Sequence, residues 1–373
     1  MSGVWSKEKA WDWYNNTPWL RGCNFMSSDC ANRIDQWQEL GFEERLRTAD
    51  RELELAASIG YNSIRLILEF IVWDQDHDGF LKRFDRYLST AYKHGIRSMI
   101  VFGNDCMVPK DEHYKPLKLG KQSYDWGYHG GRKHSQHSNL KQMGYHLLDE
   151  PELAERHYKW VREIMELYKN DERIVVWDLY NEAGAAHRDK VTIPHVKKFF
   201  EIAREVSPQQ PITSCLWKGL TDENELPEVE QFILENSDIV SYHNYSSYES
   251  NIRIIKRLKE YGRPILNTEW LGRITGNTVQ EMFPLFYLEK IGCYNWGFVA
   301  GLYQTYEPWN GLWERYDAGK GDDLDFTKWF HDLFRPNFRP YDPKEIEIIK
   351  RFCKLADRDF EKSRRSSENT TKP

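Results

Sequence analysis

Residues 174–182 read Ile174-Val175-Val176-Trp177-Asp178-Leu179-Tyr180-Asn181-Glu182. A short run this rich in β-branched and aromatic residues reads as a strand buried on both faces, as in a parallel sheet. Where the strand surfaces, an amide and then a carboxylate appear. A carboxylate in that position is costly unless it is hydrogen-bonded or used. One such Glu could also be a first-turn residue stabilised by a helix dipole.

A second stretch ends in the same way: Pro264-Ile265-Leu266-Asn267-Thr268-Glu269-Trp270. Two strand-end Glu residues weaken the helix-dipole explanation. Working outward, similar runs recur along the chain. Strands are predicted at Leu20–Asn24, Ser63–Leu68, Arg97–Phe102, Ile174–Leu179, Pro211–Leu216, Ile239–His243, Pro264–Thr268 and Gly292–Trp296. Longer amphipathic segments separate them. Glu43–Ser58 carries Leu46, Ala49, Leu53, Leu55 and Ala56 on one face and stops at Gly60; Glu152–Tyr168 and Ser250–Tyr261 follow the same period.

Eight βα units fit one barrel of about 250 residues plus insertions. The predicted fold is α/β, a single-domain (β/α)8 TIM barrel over residues 1–360. Met1–Trp19 caps the barrel bottom or braces its rim, and residues 361–373 form a disordered tail. Long loops follow strand three (Gly103 to Asp149) and strand eight (Phe298 to Asp325). The second holds Tyr303, Tyr306, Trp309 and Trp313. These loops either wall a substrate cleft or cover the rim. No G-x-G-x-x-G follows any strand, which disfavours a dinucleotide site.

Composition narrows the function classes. The net charge of −6 argues against nucleic-acid or anionic-membrane partners. No apolar run reaches the roughly 20 residues of a membrane span, and the first residues lack the apolar region of a signal peptide. The six cysteines form no C-x-x-C pair. Cys23, Cys215 and Cys293 fall in apolar runs and read as buried, reduced thiols. Together these point to a cytoplasmic protein. Aromatic residues make up 14% of the chain, 15 of them Trp, which suits a cleft that stacks on sugar rings.

The pattern resembles clan A glycoside hydrolases, most closely family 5, the cellulase and β-mannanase family. In that clan the acid/base follows an Asn after strand four, as in Asn181-Glu182, and the nucleophile ends strand seven, as Glu269 does. The resemblance spans residues 20 to 350. It implies a carbohydrate substrate, retention of configuration and no cofactor. It further implies that Arg65 orients Glu269, that Asn181 holds the sugar 2-OH, and that Tyr245 hydrogen-bonds the nucleophile. His243 lines the site near the acid/base, and Trp296 forms an aromatic floor.

The sequence departs from the family in two places. Strand three ends Val101-Phe102-Gly103-Asn104-Asp105 where the family shows a His. Asn104 takes that place, or His129 or His134 reaches in from the long loop. Ala183 stands where a Pro usually follows the acid/base.

Three smaller readings complete the expectation. Asp74-Gln75-Asp76-His77-Asp78-Gly79 resembles the opening of a calcium loop, but position twelve is Asp85, so it reads as a solvated βα loop without metal. His187 and Arg188 read as a solvated loop. The competing functional readings are a catalytically inactive carbohydrate-binding barrel and a metal-assisted hydrolase, the latter disfavoured because no H-x-H follows strand one.

Overall fold

The structure, a computed structural model, describes residues 3–106, 118–122, 129, 143–218, 220 and 225–370. Nine parallel strand segments form one sheet. They make eight staves: β1 (Arg21–Asn24), β2 (Ser63–Ile67), β3 (Arg97–Asn104), β4 (Ile174–Asn181), β5, β6 (Val240–His243), β7 (Ile265–Trp270) and β8 (Gly292–Asn295). β5 is in two pieces. Ile212–Thr213 pairs with β4 and Cys215–Leu216 pairs with β6, while β1 pairs with β8, so the ring closes. This is the (β/α)8 barrel. Each stave lies within about two residues of its predicted range. β3 and β4 run further than predicted because Gly103 pairs with Tyr180 and Asn104 with Asn181. That extension carries Asn181 to the rim.

All eight residues of β4 are buried, as a strand covered on both faces requires. The helix Phe42–Ser58 follows β1 and ends at Gly60, whose φ of +95° suits glycine. A Cβ there would meet the Cβ of Cys353 at 2.5 Å, so the site also needs glycine's small size. The helices Pro151–Tyr168 and Tyr248–Lys259 stand where the apolar period put them.

The N-terminal segment caps the bottom. Trp5, Ala10 and Tyr14 pack against Val175, Ile239 and Leu266 near the starts of their strands. The Trp5 amide donates to Asp238 and the Trp11 indole to the Gly262 carbonyl.

Two expectations are corrected. Residues 361–370 are the last turns of the helix Pro343–Thr370. Its first half docks through Ile346, Ile349 and Cys353, and Arg21 pairs with Asp357. Once those turns are formed, each further residue adds a hydrogen bond at little cost, and Lys, Arg and Glu favour helix. The stretch from Asp74 is a junction of the helices Phe70–Gln75 and His77–Tyr92, where a loop was expected. Asp74 pairs with Arg156 and Asp76 with Arg83. No helix among the described residues is long and apolar enough to cross a membrane. Cys23, Cys215 and Cys293 are buried free thiols.

One core acid, Glu52, has no basic partner among the described residues. Glu52 is fully buried and accepts from the Ser28 amide, and burial pushes its carboxyl up to about 8. An unfolded Glu titrates near 4.3. Between those values the folded chain holds a proton that the unfolded chain has released, so stability falls as pH rises through this window. Glu52→Gln keeps the neutral shape and removes that slope. With about 1.4 kcal/mol per pK unit and roughly 2 °C per kcal/mol in a chain this size, its Tm should exceed wild type by several degrees at about pH 8.5. At about pH 4 the two should nearly match, because Glu52 is then largely protonated in the folded and the unfolded chain alike. Melting curves displaced equally at both pH values would refute this account of Glu52.

Candidate active site

β4 delivers Asn181 and Glu182 to the C-terminal rim, and β7 delivers Glu269. Glu182 has a φ of 46°, a left-handed conformation that costs a residue with a side chain about 1–2 kcal/mol. Its carboxyl is partly exposed, whereas that of Glu269 is nearly buried. His243 ends β6 at a register shift that sets it opposite Glu269.

The imidazole sits between the two carboxylates. His243 Nδ1 lies 2.8 Å from Glu182 Oε1 and 3.4 Å from Glu269 Oε2. Burial pushes its pKa down to about 3, so the ring is neutral at ordinary pH. Both neighbours of Nδ1 are carboxylates, which assigns the proton to that nitrogen as a donor to Glu182. An oxygen of Glu182, an oxygen of Glu269 and the His243 nitrogen all lie within 4.8 Å of one another. Cys106 Sγ approaches Glu182 Oε2 at 2.9 Å.

Arg65 is fully buried in β2 and gathers the strand ends. Its Nη1 donates to Glu269 Oε1 at 2.7 Å and to Asn24 Oδ1 at 2.8 Å. Its Nη2 donates to Asn181 Oδ1 at 2.6 Å, and its Nε to Asp178 Oδ2 at 2.9 Å. Tyr245 donates to Glu269 Oε2 at 2.7 Å. Burial raises the Glu269 carboxyl, opposed by His243, the Arg65 guanidinium and the Tyr245 hydroxyl. Both oxygens of Glu269 are thus held, which leaves it little rotational freedom.

All eight residues singled out in the sequence meet here except in one detail. Glu182, Glu269, Asn104, Asn181, His243, Tyr245 and Trp296 line one cleft of about 350 Å³, and Arg65 lies beneath it, touching Glu269. Asn104 accepts from Asn181 Nδ2 at 2.9 Å, and its own Nδ2 is buried with no partner among the described residues. His129 also lines the cleft. It accepts from the Trp296 indole at 3.0 Å and from Trp309 at 3.4 Å. Asn104 and His129 therefore both reach the site, and His134 lies outside the described residues. Of the four aromatics after β8, Tyr303 and Trp309 line the cleft, whereas Trp313 stacks on Phe326 and Tyr306 packs at a tilt against Trp329.

Sequence reasoning missed several residues. Asp178 was inside the quoted stretch, and a charge within an otherwise apolar buried run was the signal that it needs a partner. Trp217, which lines the cleft beyond β5 and donates to the Ala183 carbonyl at 3.0 Å, had no signal beyond its strand-end position. Arg188 is corrected: it is fully buried and paired with Asp105 and Asp149, while His187 beside it is exposed. Both acids are far away in sequence, so no local pattern announced them.

Residues 129–322 match the family described as glycosyl hydrolases family 2, TIM barrel domain. That range holds β4 to β8 and both Glu residues. No curated protein matches the chain by sequence. Among solved structures, an exo-beta-1,4-mannosidase from Opitutaceae bacterium strain TAV5 is similar, with TM-score 0.56 and 16% identity. The match covers 91% of this chain and only 60% of that longer one. A GH5_18 protein from Streptomyces cattleya, in complex with Manb1-4GlcNAc, has TM-score 0.57 and 10% identity over 90% of this chain and 80% of that one. A beta-1,4-mannanase from the sea hare Aplysia kurodai has TM-score 0.52 and 14% identity over 82% and 91%. At these identities the likeness carries the fold. The matched sequence family and the structural neighbours both lie in clan A, the clan that the two strand-end Glu residues resemble. The chain therefore belongs to the glycosyl hydrolases family 2, TIM barrel domain, within clan A.

Proposed function

We propose that the protein hydrolyses β-linked mannosides or closely related β-glycosides in short oligosaccharides, with retention of configuration. The observation that carries the mechanism is the pair itself, with oxygens of Glu182 and Glu269 within 4.8 Å and a neutral imidazole between them. Retaining enzymes hold the two carboxyl groups about 5–5.5 Å apart, whereas inverting ones need about 6.5–9.5 Å to admit water.

Glu269 is the nucleophile. It attacks the anomeric carbon while Glu182 passes its proton to the leaving oxygen, so the glycosidic C–O bond breaks as the ester bond forms. Arg65 and Tyr245 hold Glu269 for the attack and take up its charge when the ester later breaks. Glu182, now a carboxylate, removes a proton from water, and that water displaces Glu269 from the sugar. Asn181, locked by Arg65 and Asn104, presents its amide to the sugar 2-OH, a contact that strengthens as the ring becomes oxocarbenium-like. Trp296 and Trp309 offer apolar faces to the ring. The β-mannoside class is supported by the named activities of the similar structures.

A panel of nitrophenyl β-glycosides and short oligosaccharides, with NMR of the first product formed, tests this reading. β-Mannosides should turn over best, and the first product should be the β-anomer. An α-anomer would replace retention with inversion. Binding without turnover across the panel would instead mean an inactive carbohydrate-binding barrel.

A further inference from the structure

Beneath the Glu182 turn lies a buried polar cluster that the chemistry above does not use. Asp105 follows β3 directly and is fully buried. Its Oδ1 accepts from the Tyr180 hydroxyl at 2.8 Å and from Arg188 Nε at 2.9 Å. Its Oδ2 accepts from the Gly184 amide at 2.7 Å and from Thr192 Oγ1 at 2.5 Å. Arg188 in turn donates to both oxygens of Asp149 and to the Gly144 carbonyl. The donors come from β4, from the turn after it and from the helix Asp189–Val206.

Glu182 stands in a left-handed conformation, and Gly184, two residues on, does too. A backbone of this kind persists only where its surroundings over-determine it. The Gly184 amide points at Asp105, and the Asp105 amide bonds to the Asn181 carbonyl at 3.2 Å. Asp105 thus grips the chain on both sides of Glu182. Its own neighbours, Asn104 and Cys106, face the cleft, and Cys106 touches Glu182.

We propose that Asp105 is a positioning residue for the acid/base: its four-donor carboxylate, braced by Arg188, holds the Glu182 turn so that the carboxyl meets the leaving oxygen. The proposal rests on the reading of Glu182 as acid/base. Asp105 touches no substrate; it acts through the backbone.

Asp105→Asn keeps the shape but turns an NH2 toward donors and leaves Arg188 one carboxylate short. Misplaced proton transfer hurts most where the leaving group needs the proton. Relative to wild type, Asp105→Asn should lose about tenfold or less in kcat/KM on a dinitrophenyl β-glycoside and about 100-fold or more on the methyl β-glycoside of the same sugar. KM should change little. Thr192→Val, which removes one donor from the same carboxylate, should show the same gradient at smaller amplitude and keeps the test open if Asp105→Asn does not fold. Equal losses on all leaving groups would mean a purely structural role and overturn the proposal. Glu182→Ala is measured alongside. If it is graded while the Asp105 and Thr192 variants are flat, only this proposal fails. If Glu182→Ala is itself flat, the acid/base reading fails, and this proposal with it.

Discussion

Glu269→Gly should lower turnover on the order of 10⁵-fold, the scale at which losing a covalent nucleophile is felt. No glycosyl-enzyme can form without it. The substitution also opens a void beside Arg65 and Tyr245, which donate to the two Glu269 oxygens in the wild type. Those donors are left facing a hole of carboxylate size, a ready site for a small anion. Azide or formate should therefore restore turnover on an activated aryl glycoside, and azide should yield the glycosyl azide of inverted anomer. Stereochemistry is the decisive readout, because the anion attacks from the face Glu269 has vacated. A retained product would mean that Glu269 serves the other face. Undiminished activity would remove it from the mechanism.

Glu182→Ala should cost about 10²–10⁴-fold on substrates with poor leaving groups, the range of general acid catalysis. On a dinitrophenyl glycoside, whose leaving group needs no proton, the first step should survive. Glycosyl-enzyme should then accumulate, because the water that releases it lacks a base. A burst of dinitrophenolate followed by slow turnover would report this. Azide, which needs no deprotonation, should relieve the slow step and give a product of retained anomer. The absence of both a burst and azide acceleration would count against Glu182. Together the two variants assign the carboxylates independently, since one role predicts inversion and the other retention.

The two carboxylates were legible because each ends a run that can only be a buried strand. Parallel strands covered on both faces are largely apolar, so a carboxylate where the run ends marks the rim; Asp178 and Arg65, buried inside their strands, are tolerated because they pair with each other. Strand and helix ranges came from the same burial rule. The extension of β3 to Asn104 was not legible, since Gly103 and Asn104 have little strand preference and are held by pairing with Tyr180 and Asn181. The C-terminal helix was misread because composition suggests disorder, whereas docking of Ile346, Ile349 and Cys353 nucleates the helix.

What the sequence determined by itself is the repeat of buried strands, the barrel it implies and the carboxylate at the end of two of them. These follow from local patterns of burial and charge. The tertiary structure decided what those carboxylates meet. It put Arg65 between Glu269 and Asp178, left His243 neutral between two acids, and set Asp105 under the turn that bears Glu182. Each of these depends on the register of strands 60 or more residues apart, closed into a ring through the two pieces of β5. Burial inside that ring, rather than residue type, sets the protonation of His243, and no local window of sequence contains it.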